Sequence, residues 1–154
     1  MFAWQRVEVD LPFERVHDIL RTGPAGWIPS LIEDPSGRLL CTISVNFGGH
    51  LRRQAQLGIG AVESGEGWAI VPVSWRAADA DVLFPVFAGE LQAAVLPEGR
   101  CELDLVGSYQ PPLGPVGELV DRLVLHRVAG QALSRFLERV AGQVADRARA
   151  MTPH

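Results

Sequence analysis

Three polar side chains, Arg53, Tyr109 and His126, fall where the surrounding sequence pattern is apolar. We place His126 near the centre of the apolar stripe of a predicted C-terminal helix, and Gly130, one turn later, leaves an opening beside it. An apolar pocket lowers the pKa of an imidazole, so a neutral His126 would suit general acid or base catalysis. A core histidine bonded to a backbone carbonyl fits the same pattern, and that simpler role is the more common one.

Arg53 and Tyr109 each have two roles open to them. The alternation of its strand points Arg53 inward, where a guanidinium needs a carboxylate from the protein or from a ligand. It is therefore either an anchor for a ligand carboxylate or part of a rim ion pair, and a register slip of one residue would put Arg52 inside instead. Tyr109 offers a phenol at the end of its strand, although packing at the sheet end is its simpler role.

Periodicity and turn residues divide the chain into nine predicted elements. They are a strand at 3–11, short helices at 13–21 and 26–32, strands at 38–46, 50–59, 67–77, 83–96 and 101–109, and a long helix at 118–149. The connections between the strands are too short for crossovers, so the strands must pair antiparallel. The sequence predicts one α+β domain over residues 1–154, and the segment from Gly58 to Gly67 either contains a seventh strand or lacks one.

In this fold class a curved antiparallel sheet of six to seven strands carries two short helices after its first strand and a long C-terminal helix across it. On that helix the predicted sheet-facing stripe is Leu119, Leu123, His126, Gly130, Leu133, Leu137, Val140, Ala141 and Val144, with Arg127, Gln131, Arg135, Glu138 and Gly142 opposite. The inward strand positions are Leu51, Arg53, Ala55, Leu57, Ala69, Val71, Val73, Trp75, Phe87, Leu91, Ala93, Val95, Leu103, Leu105, Gly107 and Tyr109.

Small and large residues alternate along these inward positions. A curved sheet lined in this way, with a helix across its mouth, predicts an interior that side chains do not fill completely, as a ligand pocket requires. Ordinary tight packing of the same residues is the alternative. Trp75 and Phe87 would give flat walls for an aromatic or polyene ligand, although aromatic residues at strand spacing more often belong to the core.

Composition and charge narrow the classes of partner. A net charge of -4 and a pI near 5.5 provide no basic field, which argues against nucleic acid. No apolar run approaches the length of a membrane span, and the N-terminus enters a strand without a secretion signal, so we expect a cytoplasmic protein. Cys41 and Cys101 are isolated thiols without metal or redox spacing, and no nucleotide motif is present, so we expect no metal and no cofactor.

The order of elements and five segments resemble the START-like, or SRPBCC, superfamily, above all the bacterial polyketide cyclase/dehydrase and lipid-transport-like proteins. The segments are Val73-Ser-Trp-Arg-Ala77, Leu83-Phe-Pro85, Leu103-Asp-Leu-Val-Gly-Ser-Tyr109, Pro111-Pro-Leu-Gly-Pro-Val-Gly117, and Asp121-Arg122 through His126-Arg127. The resemblance covers essentially the whole chain. It implies a helix-grip fold with a mostly apolar cavity between the sheet and the C-terminal helix, and it brings no universal catalytic motif.

These observations keep three function classes open. The first is a protein, monomeric or weakly dimeric, that binds or carries a small apolar molecule such as a lipid, isoprenoid or polyketide-like compound. The scarcity of titratable residues at inward positions favours this class. The second is a cyclase or dehydratase without metal or nucleotide, and the third is a regulatory protein-interaction module. The candidate ligand-binding residues are Arg53, Ala55, Val73, Trp75, Phe87, Leu91, Leu105, Tyr109, Leu123, His126 and Gly130, of which Arg53, Tyr109 and His126 are also the catalytic candidates.

Overall fold

The computed structural model of the chain describes residues 2–46, 50–78, 86–110 and 122–151. In chain order the elements are β1 (Phe2–Val9), α1 (Phe13–Arg21), a 3-10 turn (Pro24–Gly26), β2 (Ile32–Glu33), β3 (Leu39–Asn46), β4 (His50–Ile59), β5 (Glu63–Gly65), β6 (Trp68–Ala77), β7 (Val86–Leu96), a second 3-10 turn (Pro97–Gly99), β8 (Arg100–Gln110) and α2 (Arg122–Met151). Parts of the predicted elements at 83–85 and 118–121 lie outside the described residues.

All strand pairs in the sheet are antiparallel, in the order β1-β8-β7-β6-β4-β3-β2, with β5 paired to β6. The sheet has six long strands and two short ones. The short strand β5 lies between Gly58 and Gly67, where the sequence left a seventh strand open, and the two-residue strand β2 was not predicted. The long helix α2 packs against β1, β3 and β8, and α1 lies against both α2 and β7. The predicted α+β class, with a long helix across an open antiparallel sheet, is confirmed.

The second short helix was predicted in the wrong form. Residues Pro24–Gly26 form a single 3-10 turn, in which the Trp27 and Ile28 amides donate to the carbonyl oxygen of Pro24. Pro29 has no amide hydrogen to continue the helix, and Ser30 adopts a left-handed backbone with φ 57°. The chain therefore leaves the turn at once and reaches β2.

The face of α2 that meets the sheet is rotated relative to the prediction. The buried residues of α2 are Val128, Ala129, Ala132, Leu133, Phe136, Leu137, Val140, Val144 and Ala148, whereas Ala141 is only half-buried. Phe136 turns inward to contact Trp75, and this contact moves the centre of the buried face away from His126, which is exposed. On the opposite face Arg127, Gln131, Glu138 and Gly142 are exposed as predicted, but Arg135 is half-buried. Leu119 and the side chain of Leu123 lie outside the described residues.

The predicted inward parity of the strands is confirmed at most positions. The inward residues found buried are Ala55, Leu57, Ala69, Val71, Val73, Trp75, Phe87, Leu91, Ala93, Leu103, Leu105 and Tyr109. Val95 was assigned wrongly, because it is 56% exposed at the end of β7, beside Gly67. Gly107 is half-buried, and the side chains of Leu51 and Arg53 lie outside the described residues.

A glycine pair bends the sheet in its middle. Gly89 of β7 and Gly107 of β8 are register partners, and a Cβ on Gly89 would lie 2.6 Å from the Cα of Gly107 and still closer to the carbonyl oxygen of Val106. Backbones can approach this closely only where neither residue has a side chain. The pair therefore allows the sheet to curve towards α2.

Candidate functional site

A row of aromatic residues crosses the inner face of the sheet. Strand register places Trp75 of β6 opposite Phe87 of β7, and Phe87 opposite Tyr109 of β8. All three are at most 3% exposed. The Trp75 and Phe87 rings have centroids 4.7 Å apart, and Phe136 of α2 covers Trp75 at 5.0 Å. The helix and three strands thus form one aromatic cluster, whose tilted ring contacts are favourable beyond their buried area.

The phenol of Tyr109 joins the sheet to the long helix. Its oxygen lies 2.6 Å from Nδ1 of His126, a hydrogen-bond distance, and the two ring centroids are 6.0 Å apart. Burial raises the pKa of Tyr109 above its usual value, so the phenol keeps its proton near neutral pH. Because Tyr109 is buried and His126 is exposed, the pair runs from the interior to the surface.

The indole nitrogen of Trp75 is a buried donor that has no hydrogen-bond partner among the described residues. An indole N–H that is removed from water normally finds an acceptor, because an unpaired buried donor costs about 1–3 kcal/mol. The surroundings supplied by Phe87 and Phe136 are apolar. The aromatic cluster therefore contains one N–H donor to which no described residue offers an acceptor.

The structure brings two of the three catalytic candidates together, since Tyr109 and His126 are hydrogen bonded. The position predicted for His126 at the centre of the buried stripe is wrong, because it lies at the exposed margin of α2. Gly130 faces β1, where a Cβ would meet only Nε2 of Gln5, at 3.7 Å. The Cα of Arg53 pairs with that of Ile43, and its side chain, like that of Leu123, lies outside the described residues.

The remaining ligand-binding candidates, Ala55, Val73, Leu91 and Leu105, are all buried in the sheet layer. Phe136 was missed in the sequence, although it lies three residues after Leu133 and four before Val140, a spacing typical of one helix face. The partnerless N–H of Trp75 had no local signal, because it depends on which side chains surround it in the fold. No cluster of three or more His, Cys, Asp or Glu residues suited to a metal occurs in the described ranges.

No protein-family model matches the sequence, and no curated protein matches it. Solved structures do match. A conserved protein from Geobacillus kaustophilus is 13% identical with a TM-score of 0.63, and the match covers 95% of this chain and 96% of that one. The Zhui aromatase/cyclase from Streptomyces sp. R1128 is 15% identical with a TM-score of 0.52, covering 97% and 93%. Human StAR-related lipid transfer protein 5 is 11% identical with a TM-score of 0.50, covering 94% and 76%.

The chain has the START-like, helix-grip fold. At these identities the likeness establishes the fold, and function has to be argued from the residues of this chain. In this START-like chain the aromatic cluster lies where α2 crosses the sheet, and the Tyr109–His126 pair stands at its exposed margin. Neither described helix has a stretch long and apolar enough to cross a membrane.

Proposed function

We propose that the protein binds a small, mostly apolar molecule carrying one polar group, and that the molecule lies between the sheet and α2. The observation that supports this best is the buried N–H of Trp75, which has no acceptor in the described part of the chain. A ligand carbonyl or hydroxyl would provide that acceptor, while Phe87 and Phe136 would contact the apolar part. The cavity itself remains a prediction, and so does the wider set of ligand-binding residues.

The aromatic cluster favours a flat or unsaturated ligand, because ring faces and edges stack well against Trp75 and Phe87. Lipids, isoprenoids and polyketide-like compounds all meet this description. Two proteins of similar structure are named as an aromatase/cyclase and a lipid transfer protein, which fits either a ring-forming or a carrying role. We propose the carrying role, in the cytoplasm, because the Tyr109–His126 pair is the one titratable pair at the aromatic cluster among the residues that the structure describes.

Native mass spectrometry of protein purified from its own host tests the proposal directly, since a co-purified apolar mass would identify the ligand. A thermal-shift screen of fatty acids, isoprenoids and aromatic polyketides provides the second test. A compound present at a hundred times its Kd stabilises the native state by about 2.7 kcal/mol, which is easily measured in a domain of this size. A screen in which no compound raises the Tm, together with no bound mass, would refute the proposal.

The variant Trp75→Phe tests the proposed hydrogen bond from the Trp75 N–H to a polar group of the ligand. It removes the donor and keeps an aromatic ring, so we expect unchanged folding but roughly tenfold weaker binding of compounds that carry a carbonyl or hydroxyl. Hydrocarbons of the same shape should bind equally to both proteins. Trp68→Phe is the matched control, because Trp68 is 43% exposed and lies outside the aromatic cluster. Equal loss of polar and apolar ligands would show that the N–H does not recognise the ligand.

The Tyr109–His126 pair favours a second candidate function, a cyclase or dehydratase. At 2.6 Å the phenol and the imidazole can exchange a proton, and such a pair can assist enolisation of a poly-carbonyl substrate. Turnover of such a substrate that is lost in both Tyr109→Phe and His126→Gln would favour the enzyme over the carrier. Binding without turnover would favour the carrier.

A further inference from the structure

A cavity of about 330 Å³ lies at the β3 end of the sheet. It is lined by Ser30, Thr42, Ser44, Arg52 and Arg139, and we call it the arginine pocket. Thr42 and Ser44 alternate with the buried residues Cys41 and Ile43, so their side chains point away from the core. Arg139 reaches the pocket from α2, on the core side of the sheet, so the pocket lies at the margin of β3. It is thus separate from the aromatic cluster.

Hydrogen bonds to neighbouring groups hold the guanidinium of Arg139 in place. Its Nη1 donates to the carbonyl oxygen of Thr42 at 2.8 Å, and its Nη2 donates to the hydroxyl of Ser30 at 3.3 Å. Ser30 reaches this position with a left-handed backbone, φ 57°, which is costly for a residue with a side chain and is often kept where a site requires it. The cation is therefore positioned before any ligand arrives.

The charge of the arginine pocket is not neutralised by the residues that line it. Two guanidinium groups and three hydroxyl groups form its wall, and no carboxylate is among the described lining residues. Arg38, by contrast, pairs with Asp34, and Arg100 pairs with Glu8. In a chain of net charge -4, a pocket with two arginines and no acidic lining is a local reversal of sign.

We propose that the arginine pocket is an oxyanion site that binds a carboxylate or phosphate group. Guanidinium groups bind such groups with paired, charge-assisted hydrogen bonds, and hydroxyl donors can complete the shell around the oxygens. The proposal goes beyond the apolar-ligand function, because the pocket and the aromatic cluster are different places in the fold. The oxyanion belongs either to a free ion or to the head of an amphiphile.

A small enclosure, with room for about one water molecule, lies beside the arginine pocket. It shares Thr42, Ser44 and Arg139 with the arginine pocket, and its other walls are Ile43, Ala132, Arg135 and Phe136. Phe136 is also the residue that covers Trp75 in the aromatic cluster. An amphiphile with its head in the pocket would therefore have Ile43 and Phe136 beside the start of its chain, and the chain would have to displace side chains to reach further into the interior.

Calorimetry with four probes tests the site: inorganic phosphate, dodecyl phosphate, dodecanoate and dodecanol. The variant is Arg52→Gln, because Arg52 is exposed and its side chain makes no hydrogen bond or ion pair with the part of the chain that the structure describes. Arg147→Gln, an exposed arginine elsewhere on α2, is the matched control. We expect Arg52→Gln to weaken the two dodecyl anions at least about tenfold, with dodecanol unchanged and the control like the wild type.

The arms of the experiment separate the sources of the oxyanion. Dodecyl phosphate binding much more tightly than inorganic phosphate would assign the site to an amphiphile head, and equal affinities would assign it to a free ion. The oxyanion site is overturned if no anion binds the wild type, or if Arg52→Gln binds all anions as well as the wild type does. Failure of dodecanol alone to bind would count against the apolar-ligand function and leave the oxyanion site standing.

Discussion

The two ends of the sheet both carry arginines, but the arginines have different neighbours. At the β1 and β8 end, Nε of Arg6 lies 2.6 Å from a carboxylate oxygen of Glu102 and 3.3 Å from one of Asp104. Its guanidinium also lies 4.8 Å from the ring centroid of Trp4. At the β3 end, Arg139 donates to a carbonyl oxygen and a hydroxyl group, and no carboxylate of a described residue pairs with it; Arg52 lines the same pocket.

This difference indicates that Arg6 stabilises the fold, whereas Arg52 and Arg139 are placed to bind a ligand. The Asp104 carboxylate accepts hydrogen bonds from Arg6 and, at 2.8 Å, from the indole of Trp4, so the charge of Arg6 is neutralised by carboxylates of the protein itself. A guanidinium that is already paired has little capacity left for a ligand. The guanidinium groups of the arginine pocket have no carboxylate partner among the lining residues and therefore retain the capacity to bind an anion.

The largest expected change in the free energy of unfolding comes from a feature that the two ends share, a buried thiol. A buried thiol lies in each, Cys41 on β3 next to Thr42 and Cys101 on β8 next to Glu102. Burial raises the pKa of both thiols to about 11 from an ordinary value of 9.0. Below pH 9 both states keep these protons. Above it the unfolded state loses them first, so the free energy of unfolding should fall by a few kcal/mol between pH 9 and 11.

Denaturant melts across this range measure the effect. The range is favourable because all 14 basic side chains are arginines, so no lysine titrates there. The raised pKa of Tyr109 acts in the same direction, at the upper end of the range. Cys41→Ala and Cys101→Ala should each remove part of the slope. A slope that both variants leave intact would show that neither thiol has a raised pKa, and a change in one variant alone would show that the two ends differ in how well they bury a thiol.

An intermediate change in the free energy of unfolding should distinguish the two ends, because removing a charged group should destabilise the β1 and β8 end more than the β3 end. Asp104→Ala removes the acceptor of the Trp4 indole and one of the two carboxylates beside Arg6, which keeps its contact with Glu102. We expect a loss of about 1–2 kcal/mol in the free energy of unfolding. The lower part of the usual range applies because the Arg6 side chain is 50% exposed. Arg52→Ala, at the other end, should change stability by less than about 0.5 kcal/mol. Equal losses measured by urea melts would contradict the contrast.

The smallest change in stability is expected for a substitution that gives the β3 end a carboxylate like those of the β1 and β8 end. Ser44 is the register partner of Arg52, so Ser44→Glu would supply the carboxylate that the arginine pocket lacks. A cross-strand ion pair of this kind is worth about 0.2–1 kcal/mol. Binding of dodecyl phosphate should nevertheless fall at least about tenfold, because the guanidinium is then paired. Ser44→Gln, which is similar in size but uncharged, should keep the binding, and a loss there would point to steric blocking instead.

Local pattern was enough to predict the long elements. The bounds of α1, Phe13–Arg21, and of β4, His50–Ile59, agree with the prediction residue for residue. Helical spacing and strand alternation report which side of an element is buried, and turn residues report where it ends. The second helix failed because the pattern at 26–32 is apolar enough for a helix while Pro29 and Ser30 prevent one. The fold followed from the order of elements and the START-like resemblance.

The candidate site depended on contacts between residues far apart in the sequence. The bond from Arg139 to Thr42 spans 97 positions, and no local pattern on either residue indicates it. Periodicity identified an apolar stripe on α2 but not its centre, because the centre is fixed by the angle at which the helix crosses the sheet. Packing of Phe136 on Trp75 sets that rotation and brings His126 to the exposed margin.

The sequence by itself determined the elements, the inward parity of the strands and the fold class, because these follow from the backbone geometry of neighbouring residues. Only the tertiary structure decided which polar groups meet. It joined Tyr109 to His126, left the N–H of Trp75 without an acceptor in the described chain, and gathered two arginines without an acidic lining. Hydrogen bonding and charge pairing act over a few ångströms in space, so they appear only once the strands and helix are packed.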